Sequence, residues 1–197
     1  MELITQSYSG KSIQPFIKDL ARLRMEIFRD FPYLYEGSLS YEENYLSTYL
    51  SSDETIIVIV KDGERVVGAS SGLPLSMETA DVVEPFKGSS IRPEEVFYFG
   101  ESLLMKPYRG KGFGHVFFDE RERHAMELGR FRYTAFFAVQ RPGNHPLRPK
   151  NHRPLDAFWQ NRGYKARPDL ISHYSWQDID QPYETKKPMM FWIRKLR

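Results

Sequence analysis

Cysteine is absent from the 197 residues. A disulfide framework, a zinc site built on thiolates and a cysteine nucleophile are therefore excluded, and the absence fits a reducing compartment. No apolar run approaches the ~20 residues that a membrane-spanning helix needs; the most apolar stretch, residues 55–60, has the length of a strand. The opening MELITQSYSGKS has no basic segment followed by an apolar one, so no signal peptide is expected. The formal net charge is only +2, too little overall basicity to argue for nucleic acid. The expectation is a soluble, cytoplasmic protein with neither a nucleic-acid nor a membrane partner.

What is present points to one packed core. Hydrophobic residues make up 41% of the chain and aromatics 15%, too many for a disordered segment. A chain of this length buries roughly 70% of its unfolded surface, and one domain over 1–197 is expected. Charge is unevenly spread: residues 1–60 carry 5 basic and 9 acidic side chains, whereas 141–167 carry 7 basic and one acidic. Two differently charged partners suit that asymmetry better than one, and solvated faces that differ by chance are the alternative.

Periodicity places the elements. A short strand over 3–7 precedes a helix over 13–28, with Ile13, Phe16, Ile17, Leu20, Leu23 and Ile27 at helical spacing. Ser12 is read as its N-cap, with Pro15 in the first turn. Pro32 ends that helix and a second runs over 41–50. Residues 55–60 and 65–70 form a hairpin about Asp62-Gly63. Residues 76–95 are a short helix plus loop or a lid. Residues 96–105 read as one strand, in which Gly100 marks a bulge or a close backbone approach. A helix over 112–128 ends at Gly129, a strand covers 133–139, a helix 154–162 stops at Gly163, and strands over 171–177 and 189–195 finish the chain. The order β-αα-βββ-α-β-α-ββ is α/β or α+β with a mixed sheet.

The chemistry concentrates in residues 105–118, MKPYRGKGFGHVFF. Three glycines within five positions, between a strand and a helix, let bare N–H groups approach a ligand. The helix N-terminus adds partial positive charge, and Arg109 and Lys111 can add charge-assisted contacts. Together they form an anion cradle suited to a pyrophosphate. The dinucleotide fingerprint fails, because His115 stands where its third glycine belongs; the phosphate loop of nucleotide triphosphatases fails at Thr5.

The pattern that remains, Arg109-x-x-Gly112-x-Gly114, resembles the pyrophosphate loop of the GNAT superfamily of N-acetyltransferases. The stretch AFWQNRGY at 157–164 is similar to that family's helix-then-Gly-aromatic signature, and the element order matches over nearly the whole chain. The resemblance implies a mixed, mostly antiparallel sheet flanked by helices, acetyl-CoA as co-substrate, no metal, and direct transfer to a small-molecule or peptide amine. It implies that Gly110, Lys111, Gly112, Phe113 and Gly114, with Arg109, hold the diphosphate. The exposed main chain of Leu103, Leu104 and Met105 would pair with the pantetheine arm, and its N–H groups would polarise the thioester carbonyl.

An alkylamine of pKa ~10 must lose a proton before it attacks. Glu101 is the candidate base, with Tyr98 and cleft water as competitors. The family's tyrosine that protonates the leaving thiolate is replaced here by Trp159, an indole without acid function; Tyr164, Tyr108 or a histidine could substitute, or the thiolate leaves unprotonated. Asn151 stands one residue off the usual position of a pantetheine-binding asparagine. The basic loop 141–154, with His145 and His152, is read as a site for the CoA 3′-phosphate or an anionic substrate, and His124 as a satisfied core histidine. Phe31, Tyr33 and Tyr35, amid carboxylates, suit a cationic amine. A late exposed strand pairing between copies would give a homodimer. A CoA-binding sensor without catalysis is the alternative function, and nucleic-acid binding through 141–167 a third.

Overall fold

The computed structural model describes residues 3–196. Strand β1 (Leu3–Tyr8) leads into a 3-10 turn (Gly10–Phe16) and helix α1 (Ile17–Phe28). The single helix expected over 13–28 is thus divided, with Pro15 in the 3-10 part. Ser12 does act in a cap, but as the partner of Ser9: its hydroxyl accepts from the Ser9 N–H at 3.0 Å. Helix α2 (Leu39–Leu46) follows, extended by a 3-10 turn over Ser47–Leu50.

Strands β2 (Ile56–Asp62) and β3 (Arg65–Pro74) form the expected hairpin, with Gly63 at φ +59° in its turn. Residues 76–95 are a short helix plus loop: α3 (Ala80–Val83) sits among 3-10 turns. After β4 (Val96–Tyr98) and β5 (Ser102–Leu104) come α4 (Phe113–Glu127), β6 (Tyr133–Val139), α5 (Asp156–Asn161), β7 (Lys165–Gln177) and β8 (Glu184–Lys195). β7 begins earlier than the sequence pattern suggests. Pro168 and a register shift between Arg167 and Ile171 mask its first half, an irregularity that the outermost strand tolerates.

The sheet runs β1-β2-β3-β4-β6-β8-β7, with β5 also on β3; among the described residues only β4 and β6 pair in parallel. Both faces are covered. Ile57 and Ile59 of β2 point into the core under α1 and α2, while Ile56, Val58 and Val60 point into the core under α4 and α5. This is why 55–60 reads as continuously apolar rather than alternating.

The expected single strand 96–105 is broken in two, and the break organises the site. Gly100 N–H donates to the Ser71 carbonyl at 3.2 Å, and Ser71 N–H donates to the Glu101 carbonyl at 3.1 Å. Two residues thus oppose one, a β-bulge. A Cβ on Gly100 would stand 2.3 Å from the Tyr49 hydroxyl, so the close approach read from the sequence is real. Before the bulge β4 lies between β3 and β6; after it, β5 stays with β3 and parts from β6. The last rung to β6 is Phe99 N–H to the Ala135 carbonyl, 2.8 Å.

Candidate acyl-transfer site

The cradle lies where β5 runs into α4. Gly110 and Gly112 adopt left-handed conformations (φ +77° and +89°), and nothing lies within 4 Å of a Cβ built on either. Gly112 is the N-cap of α4. Among the described residues, no protein acceptor takes the N–H groups of Gly110, Lys111, Gly112, Phe113 or Gly114. The loop is exposed, and its open amides, backed by a helix N-terminus, fit a diphosphate. Arg109 is also exposed, but its Nε already donates to the Leu104 carbonyl at 2.9 Å. Lys111 lies over the Tyr108 ring, 5.5 Å away.

The strand leading into the cradle divides its main-chain groups by alternation. Met105 N–H donates to the Val67 carbonyl at 3.0 Å, and Leu103 faces Ala69 across the same ladder. Those two residues therefore point their N–H groups at β3. Leu104 and Ser102 point theirs into the gap toward β6. Of the three residues expected to face the pantetheine, Leu104 alone turns its N–H to the gap, and Ser102, which the sequence did not single out, does the same.

Arg121 holds the gap open, and no sequence signal picked it out. It is fully buried on α4. Its guanidinium donates to the Ser71 and Glu101 carbonyls (3.1 and 3.0 Å) and to the Ser102 hydroxyl (2.8 Å). Burial draws its pKa down to about 10, against the charges of Tyr164 and Glu101. Each of these carbonyls already accepts a main-chain N–H at the bulge, and Arg121 fills the second lone pair of both inside the core.

On the other side of the gap lies a cavity of about 540 Å³, with Tyr33, Tyr35, Tyr98, Glu101, Tyr174 and Trp176 among its walls. Arg24 of α1 reaches in between two carboxylates, pairing with Glu42 and, at 2.5 Å, with Glu101. Its guanidinium stands 4.5 Å above the Tyr45 ring. Burial opposes the charge on Arg24, but the carboxylates outweigh it and the pKa is raised. Glu101 is buried, and among the described residues its Oε1 has no partner.

Glu78, which the sequence did not single out, also lines this cavity. Its Oε1 accepts from the Tyr45 hydroxyl (3.4 Å) and its Oε2 from the Thr79 N–H (3.2 Å). Burial pushes its carboxyl up to about 7, with Glu101 adding to the rise and the two hydrogen bonds opposing it. Tyr98 is wholly buried, its ring against Phe137 and Phe191, and burial raises its hydroxyl well above the usual range. It is a wall, ill-suited to proton transfer near neutral pH.

The aromatic loop after α1 is stitched to the β7–β8 hairpin. Arg141 donates to the Pro32 and Tyr33 carbonyls (2.7 and 2.6 Å) and forks onto buried Asp178 at 2.7 and 2.9 Å. Trp176 Nε1 donates to the same Tyr33 carbonyl at 3.0 Å. Burial works against the Asp178 charge, but Arg141 and Lys187 hold its carboxyl below the usual range. Leu34, buried at φ +56°, takes a left-handed turn between Tyr33 and Tyr35, strain of the kind found at functional sites.

Several sequence expectations are corrected. Phe31 does not line the cavity: the rings of His145 and His152 pack on it at 5.7 and 4.8 Å. Arg141 is consumed by the stitch just described and is no anion ligand, whereas Arg148, Lys150 and Arg153 of that loop are not so engaged. Asn151 is exposed on the same loop. Trp159 packs between Phe136 and Trp192, at 5.0 and 5.1 Å, a packing position. Its suggested replacements are occupied: Tyr164 is buried on Thr134 and Glu122, and Tyr108 donates to Asp62. His124 meets the Glu54 carbonyl at 2.8 Å, a satisfied histidine as expected. No helix among the described residues is long and apolar enough to cross a membrane.

No protein-family model and no curated protein matches the sequence. Solved structures do resemble it. An acetyltransferase of the GNAT family from Streptococcus pneumoniae superposes with a TM-score of 0.59 at 15% identity, covering 98% of this chain and 99% of that one. Another of that family, from Staphylococcus aureus Mu50, gives 0.60 at 12% identity over 100% of both chains. An acetyltransferase from Streptococcus agalactiae gives 0.58 at 14% identity over 98% of both. At such identities the likeness speaks for architecture. The parted strands, the glycine cradle at the head of α4 and these superpositions agree: the chain has the GNAT fold.

Proposed function

We propose that the protein transfers the acetyl group of acetyl-CoA directly to the amine of a cationic acceptor, a small molecule or a peptide amine. One observation carries this reading. The amides of 110–114 have no protein acceptor among the described residues, and the strand that runs to them carries Gly100 and Glu101 on the wall of a cavity lined by aromatic rings and carboxylates. The cradle suits a diphosphate, the gap offers the Leu104 and Ser102 backbone to an extended amide arm, and rings with acidic groups suit an ammonium. With Trp159 packed as a wall, no acid stands at that position, and a thiolate of thiol pKa ~8.5 leaves unprotonated.

The test has two stages. Acetyl-CoA at 100 times its Kd should stabilise the fold by roughly 2.7 kcal/mol, read as a rise in melting temperature. A panel of primary amines should then release CoA thiol and give the N-acetyl product by mass spectrometry. A rise in melting temperature with no product across the panel would favour a CoA-binding module without catalysis. No rise at all would remove both readings.

A further inference from the structure

Two carboxylates face the acceptor cavity with different partners. Glu101 is clamped by Arg24, which Glu42 also grips from behind. Its Oε1 stays buried without a partner, an acceptor awaiting a donor. Among the described residues Glu78 has no cationic partner in hydrogen-bond reach, only the Tyr45 hydroxyl and its neighbour's N–H. Tyr45 links the two, since its hydroxyl meets Glu78 while its ring lies under Arg24.

We propose that Glu78 is the catalytic residue that takes the proton from the acceptor ammonium, and that Glu101 holds that ammonium through its free oxygen. The inference rests on the acetyl-transfer reading above. The N–H bond of the bound ammonium breaks and its proton passes to Glu78. The freed lone pair forms the C–N bond at the thioester carbonyl, and the C–S bond breaks with its electron pair on sulfur. The remaining excess proton on nitrogen goes to the thiolate, and Glu78 returns its own to solvent. The groups facing Glu78 are consistent with a base that titrates near neutrality. Tyr45 and the Thr79 N–H hydrogen-bond to it, Glu101 raises its pKa and Arg24 lowers it. Tyr49, Tyr98 and Tyr174 stand near it as hydroxyls held neutral by burial. A base of this pKa is matched to work at pH 7, whereas an ordinary glutamate near 4.3 is not.

The experiment compares wild type, E78Q, E78D and E101Q across pH, with a panel of primary amines that includes 2-phenylethylamine and 1,4-diaminobutane. Acetyl-CoA binding is followed in parallel by calorimetry. Wild type should lose kcat/KM below about pH 7, because the active form of Glu78 is ionised. E78Q should lower kcat by about 10²–10⁴ and abolish that limb, E78D should restore part of both, and E101Q should mainly raise the amine KM with the limb intact. All three should bind acetyl-CoA within twofold of wild type. Full activity in E78Q, or an acid limb that persists in E78Q and vanishes in E101Q, overturns the inference and leaves acetyl transfer standing. Acetyl-CoA binding without transfer in wild type overturns both.

Discussion

The two sides of the parted sheet are built on opposite plans. The donor side is local: five consecutive residues, Gly110 to Gly114, present main-chain groups on an exposed loop. The acceptor side is assembled from distant segments. Arg24, Glu42, Glu78, Glu101 and Trp176 come from five different parts of the chain, and their side chains are largely buried. On the proposed reading, the backbone cradle would recognise a constant chemical group and depend on glycine, while the side-chain cavity would set which amine enters. Variants on one side should therefore leave the other side's ligand untouched.

The largest effect that would break this division is expected from Asp178→Ala. It leaves Arg141 and Lys187 without their shared carboxylate, and breaking such a buried pair costs about 3–5 kcal/mol. The melting temperature should fall by roughly 10 °C, and the amine KM should rise while acetyl-CoA affinity holds. Next comes Gly112→Val. At φ +89° a β-branched residue is strained by about 1–3 kcal/mol, so acetyl-CoA Kd should rise about ten- to hundredfold, checked by calorimetry, with the amine cavity undisturbed. Replacing Tyr33 and Tyr35 together with alanine should raise the amine KM about five- to thirtyfold, two cation–π contacts at roughly 0.5–1 kcal/mol each. Arg109→Ala should weaken acetyl-CoA only about two- to fivefold, less in high salt, because the side chain is exposed.

Glu78 gives a stability test as well. Its folded pKa, about 7, lies above the ordinary carboxylate value, so the folded state binds the proton more tightly than the unfolded one. Wild-type stability is then lost as pH rises from about 4.5 to 7. The E78Q protein should gain melting temperature relative to wild type over that window and keep the gain above it, in a pH series of thermal melts.

The unequal legibility of the two sides follows from the same plans. A glycine pattern between a strand and a helix is visible in six letters, and Gly100 signalled its bulge because a Cβ there has no room. Arg121 and Glu78 gave no such signal: one is a charged residue inside a helix whose carbonyl partners exist only once the strand bulges, and the other is one glutamate in an irregular stretch. Phe31 shows the converse error. Its aromatic neighbours in sequence, Tyr33 and Tyr35, turn into the cavity past Leu34, while Phe31 is taken by two histidines of a loop more than a hundred residues away. Leu103 and Leu104 differ by one step along a strand, and only pairing with Ala69 decides which of them faces the gap.

Amide resonances read the central claim most directly. On titration of the isotopically labelled protein with acetyl-CoA, the backbone N–H signals of Gly110, Lys111, Gly112, Phe113 and Gly114 should move most, with those of Ser102 and Leu104 next and those of Leu103 and Met105 little. Saturating nucleotide that leaves the 110–114 signals in place would contradict the account.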